Sequence, residues 1–187
     1  MKRLLLIYIF VVAHAAFSVA QTQRHGDGID DVMQYAPYAA LFAMKTAGLE
    51  SRHDWPQLSA PAVGSWVVSA GIAYVLKHNI DEWRPDHTDQ HSFPSGHTTI
   101  AFAGATALHK EFGHLSPWVS VGGYTVAVLT AADRLRRDRH HWHDVCVGAA
   151  IGFGATQLTY YISDLLFPRK QVGIAFTGNS LDVSLRW

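Results

Sequence analysis

An all-α domain, a bundle of about five to six helices with a polar site at one end, is the fold this sequence predicts. Residues 56–76, 115–132 and 145–163 hold no formal charge over 21, 18 and 19 residues, lengths that favour helices over strands. Glycine and alanine recur at close spacing in them, which lets helices approach one another in lipid or in a tight bundle. The connectors are short and polar, so antiparallel neighbours are the default arrangement.

Taken in order, residues 1–20 open with Lys2-Arg3, continue with an apolar run from Leu4 to Val12 and close with Ser18-Val19-Ala20 before Gln21. A basic start, a short apolar core and small residues at a cleavage position make a signal peptide. The apolar character continues from Ala13 to Ala20, so a retained first membrane helix is the other reading. Both export the site to the periplasmic side. Residues 21–31 are polar and rich in Gly and Asp, an exposed arm. Tyr35 to Met44 is a modest apolar segment in which Pro37 suits a first helical turn. Helices at 56–76, 97–108, 115–132 and 145–163 complete a helical domain over residues 21–170. Beyond it the apolar residues alternate, as Val172, Ile174, Phe176 and Leu181, Val183, Leu185, around a turn at Thr177-Gly178-Asn179-Ser180. Residues 171–187 therefore form a β-hairpin or a partly ordered tail.

Composition narrows the partners. Lys plus Arg and Asp plus Glu each number 15, which removes any general electrostatic case for nucleic acid. At 49% apolar and 16% charged, the chain is more hydrophobic than an ordinary soluble enzyme. Ser, Thr, Gln and Gly interrupt most apolar segments, so a membrane-spanning bundle and a compact buried one stand side by side. The single cysteine, Cys146, cannot form an internal disulfide, and its place between Val145 and Val147 predicts a buried thiol.

Three blocks carry the chemistry: Lys77 with Arg84-Pro85; Pro94-Ser95-Gly96-His97; and Arg134 with His140 and Asp144. In an antiparallel bundle all three fall at the same end. Lys77 supplies a point charge, while Arg84 and Arg134 can each grip two phosphate oxygens. Ser95 and Gly96 precede a helix, whose first N–H groups form an anion seat. His140 and Asp144 are four apart, on one helical face, so the carboxylate can fix the imidazole tautomer and stabilise its positive or phosphorylated form. His97 is then free to protonate a leaving oxygen.

These blocks resemble the type 2 phosphatidic acid phosphatase family and its vanadium haloperoxidase relatives. The family pattern is Lys, six residues, Arg-Pro; then Pro-Ser-Gly-His; then Ser-Arg, five residues, His, three residues, Asp. The resemblance implies hydrolysis of phosphate esters without metal or other cofactor, through a phosphohistidine on His140, with His97 as general acid and Asp144 beside the nucleophile. It also implies phosphate binding by Lys77, Arg84, Ser95, Gly96 and Arg134. Asp133 departs from it, standing where the family usually has serine; Arg136, Arg137 or Arg139 could turn its carboxylate away from phosphate. The basic run from Arg134 to Arg139 reads equally as a charge-balanced connector or as a collar for an anionic membrane surface. His87, His91, His97, His140, His141 and His143 with Asp144 could be read as metal ligands, but three cations beside them disfavour a divalent ion.

The function expected is a phosphatase for phosphomonoesters or diphosphates of membrane lipids, working at a membrane surface. The alternatives are a soluble periplasmic acid phosphatase acting on small phosphoesters and a non-catalytic phospholipid-binding or scaffold protein. An oxidative vanadate enzyme using the same cage is disfavoured, because 187 residues leave little room for a large surrounding scaffold.

Overall fold

Charged residues lie inside the ends of the long helices of this chain. The computed structural model describes residues 28–167, 171–176 and 181–186. Its helices are α1 (Ile29–Met33), α2 (Ala36–Thr46), α3 (Trp55–Asn79), α4 (Gly96–Phe112), α5 (Pro117–Arg136) and α6 (Trp142–Leu166). The four long ones run three or four residues past the stretches that predict them. Lys77 and His78, His109 and Lys110, and Arg134 and Arg136 occupy last turns, where cations oppose the negative end of the helix dipole. Asp164, in the last turns of α6, is instead met by His53 Nε2 at 3.1 Å. Prolines open α2, α3 and α5, where the missing N–H leaves no hydrogen bond unmade. The all-α bundle expected from the sequence is the observed fold.

The last two elements, β1 (Gln171–Phe176) and β2 (Leu181–Arg186), pair antiparallel from Gln171↔Arg186 to Phe176↔Leu181. The predicted turn between them and the predicted signal peptide lie outside the described residues.

α4 is the axis of the bundle and meets α2, α3, α5 and α6. Leu41, Leu58, Phe112 and Tyr160 pack with Ala103 and Ala107 around it. Burying Leu41, Leu58 and Phe112 contributes roughly 1.5–3 kcal/mol each. At the end away from the three blocks, buried Glu111 accepts His53 N–H at 3.1 Å and lies 2.8 Å from His53 Nδ1, tying the α2–α3 connection to α4.

The approach of α6 to α4 decides where the site sits. A Cβ on Gly148 would lie 2.6 Å from the carbonyl oxygen of Ser95, and one on Gly152 would lie 2.2 Å from that of Thr99. Only hydrogen at these two positions lets the helices touch backbone to backbone.

α3 and α6 are long and apolar enough to cross a membrane. Their outward faces carry Trp66, Val67 and Tyr74 on α3 and Phe153, Leu158 and Leu165 on α6, all exposed. Cys146 shares that outward side and is exposed, not buried as its apolar neighbours suggest. The helical turn sends Val145 and Gly148 inward and leaves Cys146 outside.

Gly152→Ala is expected to destabilise the protein by about 1–3 kcal/mol, because the new methyl meets backbone atoms that cannot swing away. Gly154, with open space around it, is the control: Gly154→Ala should stabilise by about 0.5–1 kcal/mol. Thermal unfolding of both variants in detergent makes the comparison.

Candidate active site

The three blocks meet through hydrogen bonds between their connectors. The α3–α4 loop folds on itself: Glu82 N–H donates to Gln90 O at 2.9 Å, Arg84 N–H to Asp89 O at 3.0 Å, and Ser92 N–H to Glu82 O at 3.0 Å. Asp86 N–H then reaches Asp138 O at 3.1 Å, and Arg84 Nη1 reaches Arg139 O at 3.1 Å, joining this loop to the α5–α6 connection. Two residues past the end of α5 the chain takes a left-handed residue, Asp138 at φ 55°. There Arg139 N–H bonds Arg134 O and Asp138 N–H bonds Leu135 O, both at 3.1 Å. This C-terminal closure turns the chain sharply and delivers His140 to the site.

Asp144 is the most connected residue there. It is fully buried; its Oδ2 accepts Ser92 Oγ–H at 2.5 Å and His141 N–H at 2.8 Å, and its backbone carbonyl accepts Ser95 N–H at 3.1 Å. His140 Nδ1 lies 3.5 Å from the same Oδ2, an ion-pair distance, and has no hydrogen-bond partner among the described residues. The carboxylate is therefore aimed before the imidazole uses it. With Nδ1 facing Asp144, Nε2 is the nitrogen left for chemistry.

Cations surround this pair. Burial pushes the His140 ring down to about 4, assisted by the positive charges of Arg134, Lys77 and Arg84 and opposed by Asp144. Lys77 Nζ donates to His91 O at 2.6 Å, and Arg84 Nε donates to Asp89 Oδ1 at 2.8 Å. Both cations are thus held by loop groups. Arg134 is buried, and its Nε has no hydrogen-bond partner among the described residues.

The start of α4 differs in detail from the expected anion seat. Ser95 N–H is committed to Asp144, and Ser95 Oγ pairs with Thr98 Oγ1 at 3.0 Å. The seat falls to the amides of Gly96 and His97, which precede the first intrahelical bond, from Thr99 N–H to Ser95 O at 3.0 Å. A Cβ at Gly96 would meet no atom within 4 Å, so this turn faces open space.

Two expectations are corrected. Residues 28–31, the described part of the predicted exposed arm, dock into the site, and Asp30 is fully buried. Asp30 Oδ2 accepts Arg134 Nη1–H, and Oδ1 accepts Arg137 Nη1–H at 2.6 Å. Burial works to raise the Asp30 carboxyl, but Arg134, His97 and Arg137 hold it below the usual carboxylate range. Asp31 Oδ1 lies 2.6 Å from His97 Nε2. Two buried guanidinium groups need an anion, and α1 provides it. The sequence signal was Gly28 followed three residues later by Asp31, a helix-start pattern within a stretch whose composition reads as loop.

The basic run is a paired connector, not a free collar. Asp133 Oδ1 accepts from Arg136 Nε at 3.1 Å and Nη2 at 2.8 Å, Arg137 is buried against Asp30, and Arg139 Nη1 donates to Asp86 Oδ2 at 2.9 Å. Asp133 is thereby turned to Arg136. Among the described residues, the clusters with metal-ligand spacing are Asp30–Asp31–His97 and Glu82–His143–Asp144. Neither is the histidine set suggested by the sequence, and the first is bonded to arginine.

The model of the PAP2 superfamily matches residues 59–167, more than half of the 187 residues. The chain belongs to the PAP2 superfamily. A lipid A 1-phosphatase of Porphyromonas gingivalis is 41% identical over 140 residues, 74% of this chain and 32% of that protein. The chain thus spans about a third of the length of this curated relative. The crystal structure of Aquifex aeolicus LpxE has the same fold, with a TM-score of 0.56 at 21% identity over 71% of this chain and 84% of that one. A transmembrane PAP2 type phosphatidylglycerolphosphate phosphatase from Bacillus subtilis aligns with a TM-score of 0.46 at 18% identity over 88% of this chain and 96% of that one.

Two outcomes test the site. The lowered His140 value means that its ring stays neutral as pH falls through 6 and 5 and takes a proton only near 4. Ring-proton NMR against pH, assigned with His140→Ala, checks this; charging near the ordinary value of about 6.5 would contradict the burial described. Asp133→Ser should preserve activity within about fivefold, as expected for loss of one half-exposed ion pair, and shift its pH profile. Inactivity at every pH would give Asp133 an essential role.

Proposed function

We propose that this protein hydrolyses phosphate groups on membrane lipids through a phosphohistidine. The observation that carries the reading is a buried, neutral His140 whose Nδ1 faces Asp144 at 3.5 Å within the positive field of Arg134, Lys77 and Arg84. Neutral imidazole is a nucleophile, and the surrounding cations match the charge of a transferring phosphoryl group.

In the first step the Nε2 lone pair of His140 forms an N–P bond as the P–O bond to the leaving group breaks. The electron pair of that bond remains on the leaving oxygen, which takes a proton from His97. Asp144 stabilises the positive charge left on the His140 ring. Water then attacks phosphorus and gives its proton to His97, and the N–P electron pair returns to His140 as inorganic phosphate forms. Lys77, Arg84, Arg134, Ser95 Oγ and the amides of Gly96 and His97 hold the phosphoryl oxygens throughout.

Two observations favour lipid over small soluble esters. The outward faces of α3 and α6 are apolar, and these helices adjoin the site through Lys77 and Asp144. The P. gingivalis relative is a lipid A 1-phosphatase, which supports a substrate of that class. An acyl chain lying against such faces adds binding energy remote from phosphorus. The site lies on the periplasmic side in this reading, with the helices in the membrane.

His140→Ala should eliminate an acid-labile phosphoenzyme and lower turnover more than about 1,000-fold. The assay pairs phosphate release from a micellar lipid phosphate and a soluble ester with fractionation of cells. A soluble periplasmic protein faster on the soluble ester would establish the small-ester phosphatase instead, and lipid binding without turnover would leave a scaffold.

A further inference from the structure

The helix that precedes the family match reaches the residue proposed as general acid. We infer that Asp31, on α1, is a positioning residue for His97, fixing its tautomer and holding its proton for the leaving oxygen. The inference rests on the phosphatase reading above and goes beyond the three sequence blocks.

The geometry is specific. A carboxylate oxygen can only accept, so the 2.6 Å contact to Asp31 Oδ1 makes His97 Nε2 the donor. Nδ1 is then the ring nitrogen that can serve the leaving oxygen. Asp31 is itself held: its Oδ2 accepts Gly28 N–H at 3.0 Å, and its carbonyl accepts from Gln34 Nε2 at 2.9 Å. Neighbouring Asp30 anchors the helix between Arg134 and Arg137. Arg137 passes so near Gly28 that a Cβ there would lie 1.5 Å from Nη1. α1 is thus fastened at both carboxylates, and the histidine partner is not free to drift.

The groups facing His97 are Asp30 and Asp31 from α1 and Arg134 from α5. Burial and Arg134 hold the His97 ring below its ordinary value, and Asp31 and Asp30 oppose them. Loss of Asp31 therefore moves His97 deprotonation to lower pH. Arg134 can hold Asp30 through Nη1 and still present its unpartnered Nε to phosphate. The carboxylates brace the cage without filling its donors.

The experiment compares kcat/KM for an alkyl lipid phosphate, whose leaving oxygen needs a proton, with that for p-nitrophenyl phosphate, whose leaving group does not. The full chain in detergent is assayed from pH 5 to 9 as wild type, Asp31→Asn, Asp31→Ala and Asp31→Glu. Asp31→Asn and Asp31→Ala should lose about tenfold or more on the alkyl ester and less than about threefold on the aryl ester. The basic limb of the alkyl profile should move to lower pH, and Asp31→Glu should recover part of both effects. Equal losses on both esters with an unmoved profile would reduce Asp31 to a structural residue and overturn the inference. Nitrogen NMR of His97 in the wild type gives an answer that needs no variant: a neutral ring protonated at Nδ1 instead of Nε2 would also overturn it. A wild type that turns over neither ester would instead refute the phosphatase reading, and this inference with it.

Discussion

The backbone contact between the start of α4 and the start of α6 is the constraint on which this site depends. Gly148 lets the Ser95 carbonyl come close to α6, and the Ser95 N–H bonds the Asp144 carbonyl at 3.1 Å. That single junction sets the anion seat of one helix beside the carboxylate of the other. Ser92, three residues before Ser95, then reaches the Asp144 side chain. Side-chain bonds alone would leave rotamer freedom between the two blocks. A backbone bond at a glycine contact removes most of it, as placement of the proposed nucleophile His140 within fractions of an ångström would require.

The second constraint is charge. Lys77, Arg84, Arg134 and Arg137 crowd one end of a largely apolar bundle, and buried cations are unfavourable unless each finds an acceptor. The protein meets this with carboxylates on separate segments: Asp30 on α1, and Asp89 on the α3–α4 loop. Arg139, half-buried on the α5–α6 connection, is likewise paired with Asp86. The pairing with Asp30 aims Arg134 as well as neutralising it, since it engages Nη1 and leaves Nε without a hydrogen-bond partner among the described residues. His140 shows the net result. Its ring remains in a positive field strong enough, together with burial, to hold it neutral. A site with fully neutralised arginines would lack that field.

Most of the architecture was legible in the sequence because helix length and freedom from charge are local properties. Antiparallel packing of four long helices then put Lys77, Ser95, Arg134 and His140 at one end. Helix ends are less legible: Lys77, His109 and Asp133 read as boundaries, although the helices continue past them with Lys77, His109 and Arg134 as stabilising cations in their last turns. Cys146 was misplaced because an apolar helix in this chain has an apolar outside as well as an apolar inside. Asp30 and Asp31 were missed for a different reason. Their local pattern of Gly and Asp is that of a loop, and their role appears only when Arg134 and Arg137, more than 100 residues away, arrive as partners.

The same two helices, α3 and α6, carry both the apolar outward faces and the residues Lys77 and Asp144. Helices that face lipid on one side cannot also spread polar residues along their length, so polar chemistry is confined to their ends. Under the proposed function, confinement at the ends places the phosphate-binding residues where a bilayer gives way to water, level with a headgroup and adjoining its chains. On that proposal the fold couples two properties that could have been separate: apolar helix faces would set the depth of the site in a bilayer, and that depth would present the site to the phosphate of an amphiphilic substrate.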